Sequence, residues 1–227
     1  MVREPRWEDG WFWADFRCVD VCIERFPQGC NGGVPTYQEI VRLVQDLQYE
    51  GYIKSKENHY QVNLNFDDKL HERVCSGGHE CISGPVLHAA NEVARAVGLK
   101  ADLLLRVPSN GSAVVVEIEK ANREKILRDI VKMLLFLEAG QADLAVLVCP
   151  RNYVHTGGVW NLFDTAQQVL RAFVRVTELP PSKSERLALI GFTQEIFVDG
   201  RWTVWDKGRR SWFQAQAREH FEAGGSA

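Results

Sequence analysis

Three acidic residues stand at the ends of two apolar runs in the middle of the chain. Asp102 precedes the first run, and Glu117 and Glu119 follow the second. The pair Asn110-Gly111 lies between the runs, and Asn-Gly flanked by β-branched and apolar residues is a strong signal of a β-hairpin. Folding the chain about this pair is expected to bring Asp102 opposite the segment 117–119, so that the three carboxylates lie together.

The chemistry of such a cluster follows from its charge and from its ligand type. Side chains alternate along a strand, so Glu117 and Glu119 share one face and Lys120 takes the other. Like charges held close together repel unless a proton or a cation offsets them. Oxygen ligands favour hard cations such as Mg²⁺, which proteins hold with a few carboxylates and substrate phosphate. The pattern therefore predicts a metal-dependent phosphodiesterase site.

An edge strand with two acids on its solvated face is the simpler alternative. The continuous apolar run 114–116 favours instead a strand that is buried on both faces. Acids at the end of such a strand lie near the place where open α/β sheets have their functional sites. The metal site is therefore the interpretation that this pattern favours.

The elements after the acidic strand are expected to form a crossover. Residues 121–139 carry apolar side chains at helical spacing, and the segment 143–149 is a further apolar strand before Pro150. A strand, a helix and a second strand in this order form a right-handed crossover between parallel strands. The alternation of helix and strand then continues with a helix over 160–174, a strand over 187–192, a hairpin at Asp199-Gly200 and a helix over 210–222.

This order of elements and these acids resemble the PD-(D/E)XK nuclease superfamily. The chain is similar in particular to the BamHI-type type II restriction endonucleases, in which a second Glu replaces the Lys. The likeness covers residues 84–155 and rests on Asp102, Glu117, Ile118, Glu119, Arg128, Asp129, Lys132 and Pro150. In two places the chain departs from the motif: Ala101 stands where the superfamily has Pro, and Lys120 lies one residue beyond the usual catalytic Lys.

The resemblance implies an Mg²⁺-dependent endonuclease that hydrolyses phosphodiester bonds of double-stranded DNA and leaves a 5′-phosphate, with Mn²⁺ able to replace Mg²⁺. Asp102 and Glu117 would be the metal ligands, and Glu119 would orient or deprotonate the attacking water. Cutting both strands of a two-fold symmetric site implies a homodimer. The expected function is that of a type II restriction enzyme. The alternatives are a structure-specific repair or mobile-element nuclease and a DNA-binding protein that no longer cuts.

Further residues are candidates for supporting roles. Glu92, in a helix predicted over 85–97, matches an extra helix carboxylate that the superfamily often has near the metal, or is a solvent-facing acid. Lys120 is a second auxiliary candidate. Contacts with DNA phosphates are expected from basic residues on the helix after the acids and from two that lie among tryptophans: Arg123, Lys125, Lys132, Arg209 and Arg210. An ordinary solvated helix face is the alternative for the first group.

The N-terminal part is expected to form a mainly helical subdomain over residues 1–80, ahead of a catalytic domain over 81–227. An aromatic-rich helix is predicted over 5–26 and a second helix over 36–47. The hairpin that follows, with a polar tip at 56–59, is similar to the wing of a winged-helix DNA-binding module. A structural or dimer-forming role is the alternative. The predicted fold class is α/β, with a mixed central sheet flanked by helices in a restriction-endonuclease-like core.

Four soft metal ligands lie close together in the sequence: His71, Cys75, His79 and Cys81. Structural zinc sites use four such ligands in tetrahedral geometry, so these residues are the candidate zinc ligands, although their spacing matches no common zinc motif. The first residues carry no apolar signal region, so a cytoplasmic location is expected, and this location argues against disulfides. The cysteines that stand among apolar residues are expected to be buried: Cys18, Cys22 and Cys149.

Composition sets the outer bounds. A chain of 227 residues can bury a substantial core, and 45% hydrophobic and 25% charged residues are ordinary for a globular protein. A net charge of −3 does not mark a nucleic-acid binder, although a carboxylate-rich site and a basic cleft can coexist. No apolar run approaches the length of a membrane span, and the first residues carry no apolar signal region. A cytoplasmic protein without a membrane partner is expected.

Overall fold

The computed structural model describes residues 2–25, 35–54, 62–87, 98–108, 110–155 and 157–224. The strands are β1 (Arg6–Glu8), β2 (Trp11–Arg25), β3 (Gln48–Lys54), β4 (Val62–Leu64), β5 (Glu80–Ser83), β6 (Leu103–Arg106), β7 (Ala113–Ile118), β8 (Leu144–Pro150), β9 (Tyr153–His155), β10 (Gly158–Trp160), β11 (Leu187–Val198) and β12 (Arg201–Val204). The helices are α1 (Pro35–Val44), α2 (Phe66–Ser76), α3 (Lys125–Glu138), α4 (Leu162–Val176), α5 (Pro181–Ser184) and α6 (Lys207–Gly224).

One large mixed sheet organises these elements. Its strand order is β4-β3-β2-β11-β8-β7-β6-β5, with β1 paired to β2 and β12 paired to β11. β8 runs parallel to β7 and to β11, and the other pairs in the sheet are antiparallel. β9 and β10 form a separate hairpin. The predicted class, α/β with a mixed central sheet flanked by helices, is confirmed at this level.

Two apolar cores lie on opposite faces of the sheet. Residues of α1, α2 and α6 pack on one face, which also receives Val114 and Val116 of β7. Residues of α3 and α4 pack on the other face, together with Val115. The valines of β7 therefore alternate between the two cores, as side chains of a strand buried on both faces must. None of the helices described is long and apolar enough to cross a membrane.

The hairpin and the crossover predicted around the acidic residues are both present. β6 and β7 pair with Leu103 opposite Val116, and their connection contains Gly111 at a φ of 71°, a backbone conformation that favours glycine. α3 then links β7 to the parallel strand β8. The second hairpin signal, Asp199-Gly200, also forms a turn with positive φ between β11 and β12. These local predictions are confirmed.

The helix predicted over residues 5–26 is wrong. The segment forms β1 and β2, and β2 lies between β3 and β11 in the large sheet. Strict alternation is the reason: every second residue from position 12 to position 18 is buried, while the residues between them are partly exposed. That period of two indicates a strand, whereas the aromatic content alone does not distinguish strand from helix.

Two other predicted features lie outside the described residues. The polar tip of the predicted wing, 56–59, falls in the gap between β3 and β4. Most of the helix predicted over 85–97, including Glu92, falls in the gap at 88–97. The described residues of the candidate site belong to the sheet, α2 and α3 and to the segments that adjoin them.

Candidate functional site

A cavity of about 240 Å³ lies at the carboxyl end of β7. Asp102, Glu117 and Glu119 all line it, so the structure brings together the three carboxylates that the sequence singled out. The other charged residues in its lining are Asp67, Lys120, Lys125, Arg128, Asp129 and Lys132. The cavity is thus a mixed acidic and basic site, to which the ends of β6 and β7, α2 and α3 all contribute charged residues.

Asp102 is anchored across the two strands of the ribbon. Asp102 immediately precedes the first residue of β6. Because that residue, Leu103, pairs with Val116, Asp102 lies beside the carboxyl end of β7. The backbone N–H of Ile118 donates a hydrogen bond of 2.7 Å to Asp102 Oδ2. Asp102 is otherwise exposed and also lines a second cavity, of about 370 Å³, on the side of α2. Its carboxylate therefore borders both cavities.

Glu117 is the most buried of the three acids, with 1% of its surface exposed. Lys132 Nζ lies 2.6 Å from its Oε2, whereas its Oε1 is buried without a hydrogen-bond partner among the described residues. Burial raises the pKa of Glu117 to about 9; Asp102 and Asp129 act in the same direction, and the Lys132 ammonium acts against it. A buried carboxylate oxygen without a partner is costly, and a bound cation would remove that cost.

Glu119 is held by the turn that follows β7. Its Oε1 accepts hydrogen bonds from the backbone N–H groups of Ala121, at 2.9 Å, and Asn122, at 2.7 Å. The side chain is 5% exposed and lines the cavity. Glu119 thus organises the start of the segment leading into α3 while it remains at the cavity wall.

The sequence predicts Lys132 on a helix surface that contacts DNA. In the structure, however, Lys132 is buried. It is 8% exposed, and its Nζ lies 3.4 Å from Asp129 Oδ1 in addition to its contact with Glu117. Asp129 is one helical turn earlier on α3, which places both side chains on the same face. That face packs on the sheet, so Lys132 belongs to the carboxylate cluster and is not a free surface cation.

Lys120, two residues beyond the end of β7, lines the same cavity as Glu117 and Glu119 but forms its ion pair with α2. Its Nζ lies 2.8 Å from Asp67 Oδ2 and 3.3 Å from the carbonyl oxygen of Leu64. Asp67 is in the first turn of α2 and was missed at the sequence level. Burial raises the pKa of Asp67, Lys120 lowers it, and Asp102 raises it further. No local pattern links Asp67 to Asp102, because a fold in which α2 approaches β7 is needed to bring them together.

The remaining basic candidates differ in whether they line the cavity. Lys125 is exposed and lines the cavity, whereas Arg123 lies 5.5 Å above the ring of Trp160. Arg209 and Arg210 are on α6 and do not line the cavity described above. Arg210 Nη1 instead donates to the carbonyl oxygen of Val154 at 3.2 Å. The structure therefore groups Lys125, but not the two α6 arginines, with the carboxylates.

The cysteine and histidine cluster differs from the predicted set of four ligands. Cys75 and Cys81 form a disulfide, contrary to the expectation of reduced cysteines. His71 Nε2 lies 3.5 Å from Cys75 Sγ and 3.7 Å from Cys81 Sγ. His79 lies apart, with its Nε2 3.5 Å from Glu39 Oε1. Three of the four predicted ligands therefore lie together: His71, Cys75 and Cys81. Among the other cysteines described, two are fully buried and one is partly buried: Cys18, Cys149 and Cys22.

Glu117 is expected to make the metal-free chain less stable as the pH rises. Its pKa is raised from 4.5 to about 9, so the folded state keeps a proton that the unfolded state releases between these values. The stabilisation from this group is complete below pH 4.5 and is lost as the pH rises through about 9, with a slope of at most about 1.4 kcal/mol per pH unit for one proton.

Urea unfolding in EDTA, compared between the wild type and Glu117→Gln, measures this contribution. The free energy of unfolding should fall less steeply with pH in the Gln variant, because that side chain carries no titrating proton. Parallel pH profiles for the two proteins would contradict the assignment of a raised pKa to Glu117.

No protein-family model and no curated protein matches this chain. The geometry and chemistry of the cavity at the end of β7 are therefore the main support for any proposal of function.

Proposed function

We propose that this chain is an Mg²⁺-dependent DNA endonuclease of the type II restriction class, built on a restriction-endonuclease-like core. The observation that carries the proposal is the meeting of Asp102, Glu117 and Glu119 in one cavity, with the Oε1 atom of Glu117 buried and without a partner. Three carboxylates in one cavity repel one another, and a divalent cation offsets that repulsion.

The residues present fit a hard cation. Asp102 and Glu117 would hold it, and their oxygen atoms favour Mg²⁺ or Mn²⁺ over metals that prefer sulfur or nitrogen ligands. When bound, the metal ion supplies Lewis acidity that stabilises the negative charge of a phosphodiester undergoing hydrolysis. Lys132 holds the second oxygen of Glu117 and thereby orients its carboxylate toward the cavity.

The other side chains of the cavity have roles in binding and in proton transfer. Glu119, fixed through the backbone N–H groups of Ala121 and Asn122, orients the attacking water and accepts its proton. Lys125 and Arg128 are exposed residues of the same cavity and suit the non-bridging oxygens of a phosphate. The substrate would thus be held by Lys125 and Arg128 beside the residues that would hold the metal, Asp102 and Glu117.

DNA is the substrate class that best matches the wider surroundings. The second cavity adjoins the first through Asp67, Asp102 and Ile118 and adds Lys100 to its lining. Lys100, Lys125 and Arg128 are the cations beside the proposed hydrolytic site that suit a polymer of phosphodiesters, whose backbone dominates binding to proteins. Cleavage of both strands at a two-fold symmetric sequence requires two such sites, so the active form is a homodimer.

Incubation of the purified chain with unmethylated phage DNA at low salt, in Mg²⁺ or in EDTA, tests the proposal. Sharp bands that appear only with Mg²⁺ are the expected result. A smear that depends on Mg²⁺ would replace the restriction class with a nuclease of low sequence specificity. Intact DNA together with a gel shift that is the same in Mg²⁺ and in EDTA would overturn the enzymatic proposal and leave the DNA-binding alternative.

A further inference from the structure

A second group of ligand atoms lies at the end of α2, apart from the carboxylates of β7. His71 and Cys75 are one turn apart on α2, and Cys81 reaches them from β5. The three ligand atoms, one nitrogen and two sulfurs, lie within 4.8 Å of one another. This close approach of a histidine nitrogen to both members of a disulfide is a contact that a disulfide by itself does not require.

We propose that Cys75 and Cys81 are a reversible thiol pair that, when reduced, binds a soft divalent cation such as Zn²⁺ together with His71. Thiolate sulfur and imidazole nitrogen are the ligands that zinc prefers in proteins. Cys75 is exposed, and Cys81 and His71 are partly exposed, so both a reductant and a metal ion can reach them. The disulfide and the metal complex are alternative states, because the same two sulfur atoms take part in each.

The interconversion is balanced by one two-electron reductant. A water-soluble phosphine reduces the Cys75–Cys81 bond to two thiols and becomes a phosphine oxide, while one water molecule supplies the oxygen atom and the two protons. Binding of Zn²⁺ then releases the two thiol protons to the solvent. After a chelator has removed the metal, a small-molecule disulfide re-forms the Cys75–Cys81 bond by thiol–disulfide exchange and is itself reduced to two thiols.

Among the residues that the structure describes, this group has three protein ligands. His79, the fourth residue of the sequence pattern, is 8% exposed and faces Glu39 on α1. A three-ligand zinc site keeps a fourth tetrahedral position for water. His71 also lines the 370 Å³ cavity, which provides room for solvent beside the cluster.

Titration of the full chain with Co²⁺, before and after treatment with a phosphine, tests the inference without any measurement of DNA cleavage. Co²⁺ reports thiolate ligation by a near-ultraviolet charge-transfer band and tetrahedral geometry by its visible absorption. The reduced chain is expected to bind one Co²⁺ with both signatures, which Zn²⁺ displaces and Mg²⁺ does not. The oxidised chain is expected to bind none with these signatures. Absence of both bands in the reduced chain would overturn the proposal.

Variants identify the ligands. Cys81→Ser and His71→Ala are each expected to weaken Zn²⁺ binding by more than about 100-fold, which exceeds the usual loss when a residue outside the ligand set is changed. His79→Ala and Cys22→Ser are the matched controls and should bind Zn²⁺ as the wild type does. Unchanged binding by Cys81→Ser would refute the proposal, and loss of binding in His79→Ala would replace the three-ligand set with four. His71→Gln, compared with the wild type by circular dichroism, separates ligand loss from misfolding.

Discussion

Replacement of Asp102 by Asn is expected to lower the rate of the proposed Mg²⁺-dependent DNA cleavage by about 10³-fold, since loss of a metal ligand would remove several kcal/mol of transition-state stabilisation and each 1.4 kcal/mol is a factor of ten. The amide oxygen of Asn can still accept the hydrogen bond from the N–H of Ile118, so the hairpin keeps its geometry. What is lost is the negative charge that borders both cavities. Single-turnover cleavage measures the rate, and isothermal titration with Mg²⁺ measures the affinity.

Asp143→Asn is the matched control for this variant. Asp143 Oδ2 accepts a hydrogen bond of 2.8 Å from the N–H of Ala113, at the other end of β7. The two aspartates therefore make the same type of contact with one strand, but Asp143 does not line the cavity at the carboxyl end. Asp143→Asn should cleave as the wild type does. Wild-type cleavage by Asp102→Asn would contradict a role for Asp102 in metal binding.

Above about pH 9, where Glu117 is ionised, replacement of Lys132 by Met is expected to lower the free energy of unfolding by about 3–5 kcal/mol, because removal of one partner from a buried ion pair leaves the other charge uncompensated. Lys132 Nζ is the close cation of Glu117, which is 1% exposed, and it also contacts Asp129, which is 3% exposed. The midpoint temperature of thermal unfolding in EDTA is expected to fall by roughly 6–20 °C for a chain of this size. Mg²⁺ should offset part of this loss by replacing the missing positive charge.

Two further variants show whether the loss arises from the buried pair. Lys125→Met changes an exposed lysine of the same helix and cavity, and its effect should stay within about 0.5 kcal/mol. The double variant Lys132→Met, Glu117→Gln removes both members of the pair and should recover much of the stability. A Lys132→Met protein as stable as Lys125→Met would rule out the buried ion pair as a stabilising contact in the metal-free chain.

The sequence by itself determined those parts of the site that depend on neighbours along the chain. The Asn110-Gly111 turn and the apolar runs beside it specify the β6–β7 hairpin, and that hairpin puts Asp102 beside the end of β7. Alternation along β7 places Val114 and Val116 on one face of the sheet and Val115 on the other. A turn and a period of two act over a few residues, so their consequences can be read without knowledge of the rest of the fold.

Apolar residues stand at every second position from 12 to 18, and this period of two is a local signal that needs no tertiary information. The prediction of a helix rested on the aromatic content of the segment, which is compatible with both helix and strand. The position of β2 between β3 and β11, in contrast, follows from long-range pairing.

Only the tertiary structure decided which distant side chains join the carboxylates. Asp67 of α2 pairs with Lys120, and Lys132 of α3 contacts Glu117. A charged residue on a helix reads in the sequence as part of a solvated face. Whether it is instead buried against an opposite charge depends on where the helix packs on the sheet. That packing is set by apolar contacts on both faces of the sheet, which are far apart along the chain.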